Sequence, residues 1–254
     1  MVETEGDRRL DVPIAELGGK GVFAKEVQAA VLDGRADAAV HSAKDLPAVT
    51  LDGLLLAAVP ERGEVRDALV GSTLAALPEG ATVATGSRRR RVQLAEPRPD
   101  LRFAELRGNM RTRLAKAAEF DAIVVAAVAF QRLGLGDHLA EVLSPVDMVP
   151  QVGQGALAVE CRAGDDDTRA RLAVIEHGPS RRRVDAERAF LAELGGDCDL
   201  PAGAHATVVD RGEVRLSAVL AGPDGTVHRG GVQGTDPEFL GASIAKILRR
   251  DAGL

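Results

Sequence analysis

Between residues 36 and 133, short apolar runs alternate with helical segments, and no other feature of the sequence constrains the fold more. The runs ADAAV (36–40), GLLLAAV (53–59), DALVG (67–71), ATVAT (81–85), LRFAEL (101–106) and AIVVAA (122–127) have the length and continuity of buried strands. Around them, KGVFAKEVQAAVLDG places Val22, Phe23, Val27 and Val31 at helical spacing and stops at Gly34, and further helices are expected over 88–96, 109–118 and 127–133. Strands alternating with helices predict an α/β fold with mostly parallel sheets. VPERGEV (59–65) and VPQVGQG (149–155) read as paired linkers, and ALAVECR (156–162) as a strand that returns to the first sheet. Two such crossings between two α/β lobes make a hinged cleft.

The last third changes character. PSRRRVDAERAFLAEL predicts a helix capped by Ser180. HATVVDRGEVRLSAVLAGPDGTVHRGG alternates apolar and polar residues across two turn signals, DRGE and GPDG, which predicts an antiparallel meander; FLGASIAKILRR closes it with a helix. The expected organisation is a discontinuous α/β lobe (1–62 and 156–175), a second α/β lobe (63–155) and a small C-terminal α+β domain (176–254). No apolar run approaches the roughly 20 residues that cross a bilayer. MVETEGDRRL has no apolar signal core, so a cytoplasmic protein is expected, and in a reducing compartment the two cysteines, Cys161 and Cys198, are expected as free thiols.

Charge locates the chemistry. The chain carries a net charge of -6, yet residues 86–115 hold nine arginines against three acids, a local +6 that leaves -12 for the rest. Such concentration argues for an anion site. The strands ADAAV, ATVAT and LRFAE lead into HSAKDLP (41–47), TGSRRRR (85–91) and LRGNMRTRL (106–114), and in open α/β sheets ligands bind at such strand ends. In the second and third, a helix N-terminus adds free backbone N–H groups, and guanidinium groups grip carboxylate or phosphate with two prongs. Some of four adjacent arginines must face solvent, so Arg88 and Arg91 are assigned to an exposed helix face and Arg89, Arg90, Arg107 and Arg113 to the site. Asp45 is either a helix cap or turn former, or a carboxylate at the mouth of the cleft.

Cys198, in the polar loop LGGDCDLPAG, is a candidate point of covalent attachment, because the thiolate is a good nucleophile; Cys161, in an apolar strand, is a core thiol. Histidines and cysteines do not cluster at metal-ligand spacing, so no metal is expected. Six Phe with no Tyr or Trp, in an acidic chain, argue against nucleic-acid binding by the arginine block.

Eight collinear blocks carry a resemblance. GGKGVFAKE, ADAAVHSAKDLP, TGSRRRRVQL, LRGNMRTRL, FQRLGL, VGQGALAVECR, AERAFLAELGGDCDLPAG and VRLSAVLAGPDG resemble, in order, the hydroxymethylbilane synthase (porphobilinogen deaminase) family. The resemblance implies two periplasmic-binding-protein-like lobes around a cleft, plus a third domain carrying the cofactor cysteine. It implies a dipyrromethane cofactor held by a thioether to Cys198. It also implies stepwise condensation of four porphobilinogen molecules with loss of ammonia, then hydrolysis to release hydroxymethylbilane. By position, Arg89, Arg90, Arg107, Arg113 and Arg132 match carboxylate-binding arginines of the family, with Lys20, Ser42, Lys44 and Ser87 alongside, and Asp45 matches the catalytic carboxylate. The small-molecule substrate is porphobilinogen, with no nucleic acid or membrane partner and a monomeric state expected.

Four positions depart from the family pattern: Glu16, Gly86, Arg88 and Asp197. Family members also begin with a strand and helix bearing an Arg-x-Ser segment, and Met1 falls after that region. From this, the first sheet is expected to lack a strand, and the chain as written to be poorly stable or weakly active. The alternative reading is an inactive relative serving as an anion-binding module, which would carry no covalent dipyrromethane.

Overall fold

The computed structural model describes residues 22–195 and 200–254. Lys20, Cys198, Glu16, Asp197 and the question of a first strand lie outside the described residues. The chain forms α1 (Val22–Leu32), β1 (Ala38–Ser42), β2 (Leu54–Ala58), β3 (Asp67–Val70), β4 (Thr82–Ala84), α2 (Arg88–Ala95), β5 (Arg102–Ala104) and α3 (Met110–Ala115). It continues with β6 (Ala122–Ala126), α4 (Ala127–Arg132), β7 (Leu139–Val142), β8 (Leu157–Arg162) and α5 (Asp166–Leu172). The last part comprises α6 (Gly178–Glu193), β9 (Ala202–Val208), β10 (Val214–Ala221), β11 (Val227–Gly234) and α7 (Pro237–Asp251).

The described strands make three sheets, ordered β1-β8-β2, β5-β4-β6-β3-β7 and β11-β10-β9. ALAVECR does return to the first sheet, as its central strand, with Val40 opposite Val159. The expectation of mostly parallel sheets is wrong for the described residues. β8 runs antiparallel to both β1 and β2, and β3 antiparallel to both β6 and β7; only β4 pairs in parallel, with β5 and β6. A parallel pair needs a long crossover, which α2 and the α3 segment supply on either side of β4 and β5. β3 and β8 are instead fed by crossing segments from the other sheet, which impose no such direction. β7 escaped the sequence reading because LAEV is a short edge strand with a polar residue in its centre.

β6 shows why the continuous apolar runs were legible. All five of its residues are buried. Val124 and Ala122 pack with Leu69 and Val83 on one face, and Ile123 and Val125 with Ala68, Val70 and Phe130 on the other. A strand covered on both faces has no polar side to show. The third sheet is the expected meander, and its Ala204, Leu216 and Leu220 pack against Phe190 of α6 and Ile244 and Leu248 of α7.

α6 starts earlier than expected. His177 occupies the N-cap position and Pro179 lies in the first turn, where a missing N–H costs nothing. Ser180 is therefore inside the helix and buried, and its hydroxyl accepts the backbone N–H of Arg62 at 2.9 Å.

The segments at 59–66 and 149–156 run side by side, with the Gly63 N–H donating to the Gly155 carbonyl at 3.2 Å. Gly155 has φ +86°, and a Cβ there would stand 2.5 Å from the Glu64 carbonyl oxygen, so the close approach requires glycine. Arg62 clamps this junction. Its Nη1 and Nη2 donate to Glu187 of α6 at 2.7 and 2.9 Å, and its Nε to the Gln154 carbonyl at 2.9 Å. Glu187 also accepts the N–H groups of Gly153 and Ala206, and both side chains are fully buried. Sequence reasoning did not find this pair. Arg62→Ala strands a buried carboxylate and is expected to destabilise by about 3–5 kcal/mol, read as a lower urea midpoint; a change below about 1 kcal/mol would contradict the clamp.

Candidate functional site

The chain leaves β1 in a tight 3-10 turn, Ala43–Asp45, preceded by Ser42. Ser42 holds the N-cap position but its hydroxyl makes no capping bond, and Asp45 is the last residue of the turn rather than its cap. Asp45 is exposed, which removes the capping reading and leaves a carboxylate available from solvent. The turn leans on the second crossing: the Ala43 N–H donates to the Ala156 carbonyl, and Gln151 Nε2 to the Lys44 carbonyl at 3.2 Å.

α2 brings the arginine run to the same place. Ser87 is its N-cap and accepts the Arg90 N–H at a long 3.5 Å. Arg88 is exposed, as expected. Arg91 is not simply solvent-facing: it is half-buried, donates twice to the Thr85 carbonyl at 3.1 and 2.9 Å and pairs with Glu105, so it staples the strand end that precedes the helix.

Arg89 and Arg90 are both buried. Between them sits Asp67, a wholly buried carboxylate that the sequence reading passed over. Its Oδ1 accepts from Arg90 Nε at 3.0 Å and Nη2 at 2.7 Å, and from Gln154 Nε2 at 3.0 Å, while Oδ2 lies 2.8 Å from Arg89 Nη1. Arg89 Nη1 also donates to the Val149 carbonyl and Arg90 Nη1 to that of Val124. Arg89 Nε and Nη2 remain buried with no partner among the described residues. An acid opening an apolar strand, as in DALV, is the signal that could have found Asp67.

Mutual fields show which other residues share the site. Burial pushes the Lys44 ammonium below its ordinary pKa, as do Arg90 and Arg89, while Asp45 and Asp67 oppose the shift. Burial and the nearby Arg90 and Arg107 likewise lower Arg113, which Asp45 holds up. Lys44 therefore lies within the fields of Asp45, Asp67, Arg89 and Arg90, and Arg113 within those of Asp45, Arg90 and Arg107. Arg113 is anchored by Nε on the Gly108 carbonyl at 2.7 Å, and Arg107 is largely exposed, 3.5 Å from Glu105. Arg132 lies apart, at the crossing, where Nη2 donates to the Gly155 carbonyl at 3.1 Å.

Among the described residues no group of three or more His, Cys, Asp or Glu is placed to hold a metal, and no helix is long and apolar enough to cross a membrane. What the arrangement can do is bind anions with several cationic groups around one accessible carboxylate.

The fold and site thus define a class, an α/β protein with a cation-lined anion site where two sheets exchange chain. Residues 1–170 match the family model for the dipyromethane cofactor binding domain of porphobilinogen deaminase, and residues 181–250 that for its C-terminal domain. The porphobilinogen deaminase of Brevibacillus brevis is 44% identical over 253 residues, covering 97% of this chain and 82% of that protein. That of Nitratidesulfovibrio vulgaris is 50% identical over 226 residues, covering 87% and 71%. Among solved structures, the second substrate-binding domain of a putative amino acid ABC transporter from Streptococcus pneumoniae has a TM-score of 0.38 at 15% identity, covering 68% of this chain and 74% of that one. The chain belongs to the porphobilinogen deaminase family.

Proposed function

We propose that this chain joins four porphobilinogen molecules head to tail onto a dipyrromethane carried by Cys198, then releases hydroxymethylbilane by hydrolysis. Each addition forms one carbon–carbon bond, breaks the aminomethyl carbon–nitrogen bond and releases ammonia. The observation that carries this reading is the buried pair Arg89 and Arg90, with Arg89 N–H groups left unpartnered among the described residues, beside Lys44 and Arg113, which both feel the accessible carboxylate of Asp45.

The residues present fit such a group. Every pyrrole of the cofactor and product bears an acetate and a propionate, so the bound chain is a polycarboxylate. Buried N–H groups on Arg89 without a partner among the described residues suit a ligand carboxylate. When bound, the dipyrromethane supplies the pyrrole carbon onto which the first unit is joined.

The chain's own residues do the rest. Arg89, Arg90, Arg107 and Arg113 bind carboxylates, with Ser42, Lys44 and Ser87 beside them, Arg132 at the crossing and Lys20 from the preceding segment. Asp45 stabilises positive charge on the reacting pyrrole and exchanges a proton at its nitrogen. Gly203 packs so that a Cβ there would lie 2.9 Å from Arg89 Cδ, and Cys198 precedes it by five residues, which span at most about 17 Å.

The proposed organisation is two lobes, 1–62 with 156–175 and 63–155, around a cleft, with 176–254 as the domain bearing the cysteine. A cytoplasmic monomer acting on a small molecule, without nucleic acid or membrane, completes the reading. Identities of 44–50% to porphobilinogen deaminases favour it over a non-catalytic anion-binding module.

Purified protein given porphobilinogen should consume it; binding without consumption would support the module instead. Within that assay, Arg90→Ala is expected to lower kcat/KM about a hundredfold, because it unpairs a buried charge and removes a carboxylate ligand. Arg88→Ala should stay within about twofold, as an exposed side chain contributes little. Equal losses would mean that the arginines act only as a diffuse field.

A further inference from the structure

We propose that Asp67 is a positioning residue for this site: it fixes the guanidinium groups of Arg89 and Arg90 in one arrangement and ties that arrangement to both chain crossings. The proposal rests on the reading that these arginines hold ligand carboxylates.

Asp67 is the first residue of β3, where the first crossing ends. One of its oxygens is shared by Arg90, through two N–H groups, and by Gln154 of the second crossing; the other faces Arg89. Gln154 Nε2 also donates to the Val65 carbonyl at 2.7 Å, and Arg89 Nη1 to the Val149 carbonyl at 2.6 Å. A single carboxylate therefore links α2 to 65–67 on one crossing and to 149–154 on the other.

Two adjacent buried guanidinium groups repel each other and are both stripped of water. One carboxylate between them offsets the repulsion and leaves a net charge of +1 to attract an anion. A purely structural ion pair would have its donors satisfied, but Arg89 Nε and Nη2 are buried without a partner among the described residues. Burial alone would raise the Asp67 carboxyl pKa, yet Arg89 and Arg90 hold it well below the usual carboxylate range, so the charge persists at any working pH.

Asp67→Asn preserves shape and removes that charge. Lys44 faces Asp45 on its own turn, Arg89 and Arg90 on α2 and Asp67 on β3. Losing Asp67 leaves the two arginines less opposed and lowers the Lys44 pKa further, so the alkaline limb of kcat/KM should move to lower pH. KM for porphobilinogen should rise at least tenfold with a smaller change in kcat, and the Arg90 Nε–H resonance should lose its exchange protection in 15N spectra.

Asp67→Glu should restore the limb and recover part of the KM. An unchanged KM and limb with only a lower melting temperature would overturn the proposal. If Asp67→Asn does not fold, Asp67→Glu carries the test: KM should rise because the carboxylate is displaced, and an unchanged KM overturns the inference. Wild-type protein that binds porphobilinogen calorimetrically without consuming it contradicts the catalytic reading alone. The inference is then read from the binding ratio, a tenfold weakening in Asp67→Asn supporting it and equal binding overturning it. No binding by the wild type overturns both.

Discussion

Cys198→Ser protein is expected to carry no covalent mass increment and to consume no porphobilinogen, whereas Cys161→Ser should keep both. The two thiols differ in chemistry because they differ in place. Cys161 lies in β8, the central strand of the first sheet, opposite Ala38 on one side and Leu55 on the other, and is wholly buried. Burial, with Asp165 nearby, raises its pKa and depletes the thiolate that would attack. Cys198 lies between the end of α6 at Glu193 and the start of β9 at Ala202, and β9 packs Gly203 against Arg89. On the proposed attachment, a span of at most about 17 Å from Gly203 would leave a bound polycarboxylate within reach of Arg89. Intact-mass spectra of the wild type and both variants decide the matter. An increment that disappears with Cys161→Ser, or survives Cys198→Ser, would contradict the assignment.

Asp45→Asn should lower kcat by about a hundredfold or more while the protein still folds and still carries its increment. Asp45 is exposed at the end of its turn and fills no core position, so little stability depends on it. In the proposed role its charge is what counts. It opposes the field of Arg90 at Lys44 and that of Arg90 and Arg107 at Arg113, and it supplies an oxygen that can take a pyrrole proton. Asparagine keeps the shape and removes both properties. Thermal melts should coincide with the wild type. Turnover within about threefold of the wild type, or an unfolded variant, would return Asp45 to the role of a turn former.

Much of the site was legible because its parts are local. A strand followed at once by SRRRR or by RGNMRTR places cationic residues at strand ends whatever the rest of the chain does, and this makes Arg89, Arg90, Arg107 and Arg113 candidates from the sequence alone. What escaped was their company. Asp67 precedes Arg89 and Arg90 by more than twenty residues, and Glu187 is separated from Arg62 by 125. No periodicity encodes such pairs; each exists because a crossing segment is threaded past a helix, α2 for Asp67 and α6 for Arg62. Strand direction failed for the same reason. Alternation of strands and helices predicts parallel pairing, but β3 and β8 enter by crossings rather than through a helix. Ser180 reads as a cap because serine commonly starts a helix, whereas Pro179 in the first turn moves the start back to His177. Arg91 shows the limit of reading exposure from a run of four: its guanidinium turns back onto the Thr85 carbonyl.

The stoichiometry of ammonia tests the central claim most directly. Purified protein is given porphobilinogen, and ammonia and hydroxymethylbilane are measured together over many turnovers. Four ammonia molecules are expected for each hydroxymethylbilane, with the protein-bound mass increment unchanged throughout. Bound porphobilinogen with no ammonia released, or ammonia released without a tetrapyrrole product, would contradict it.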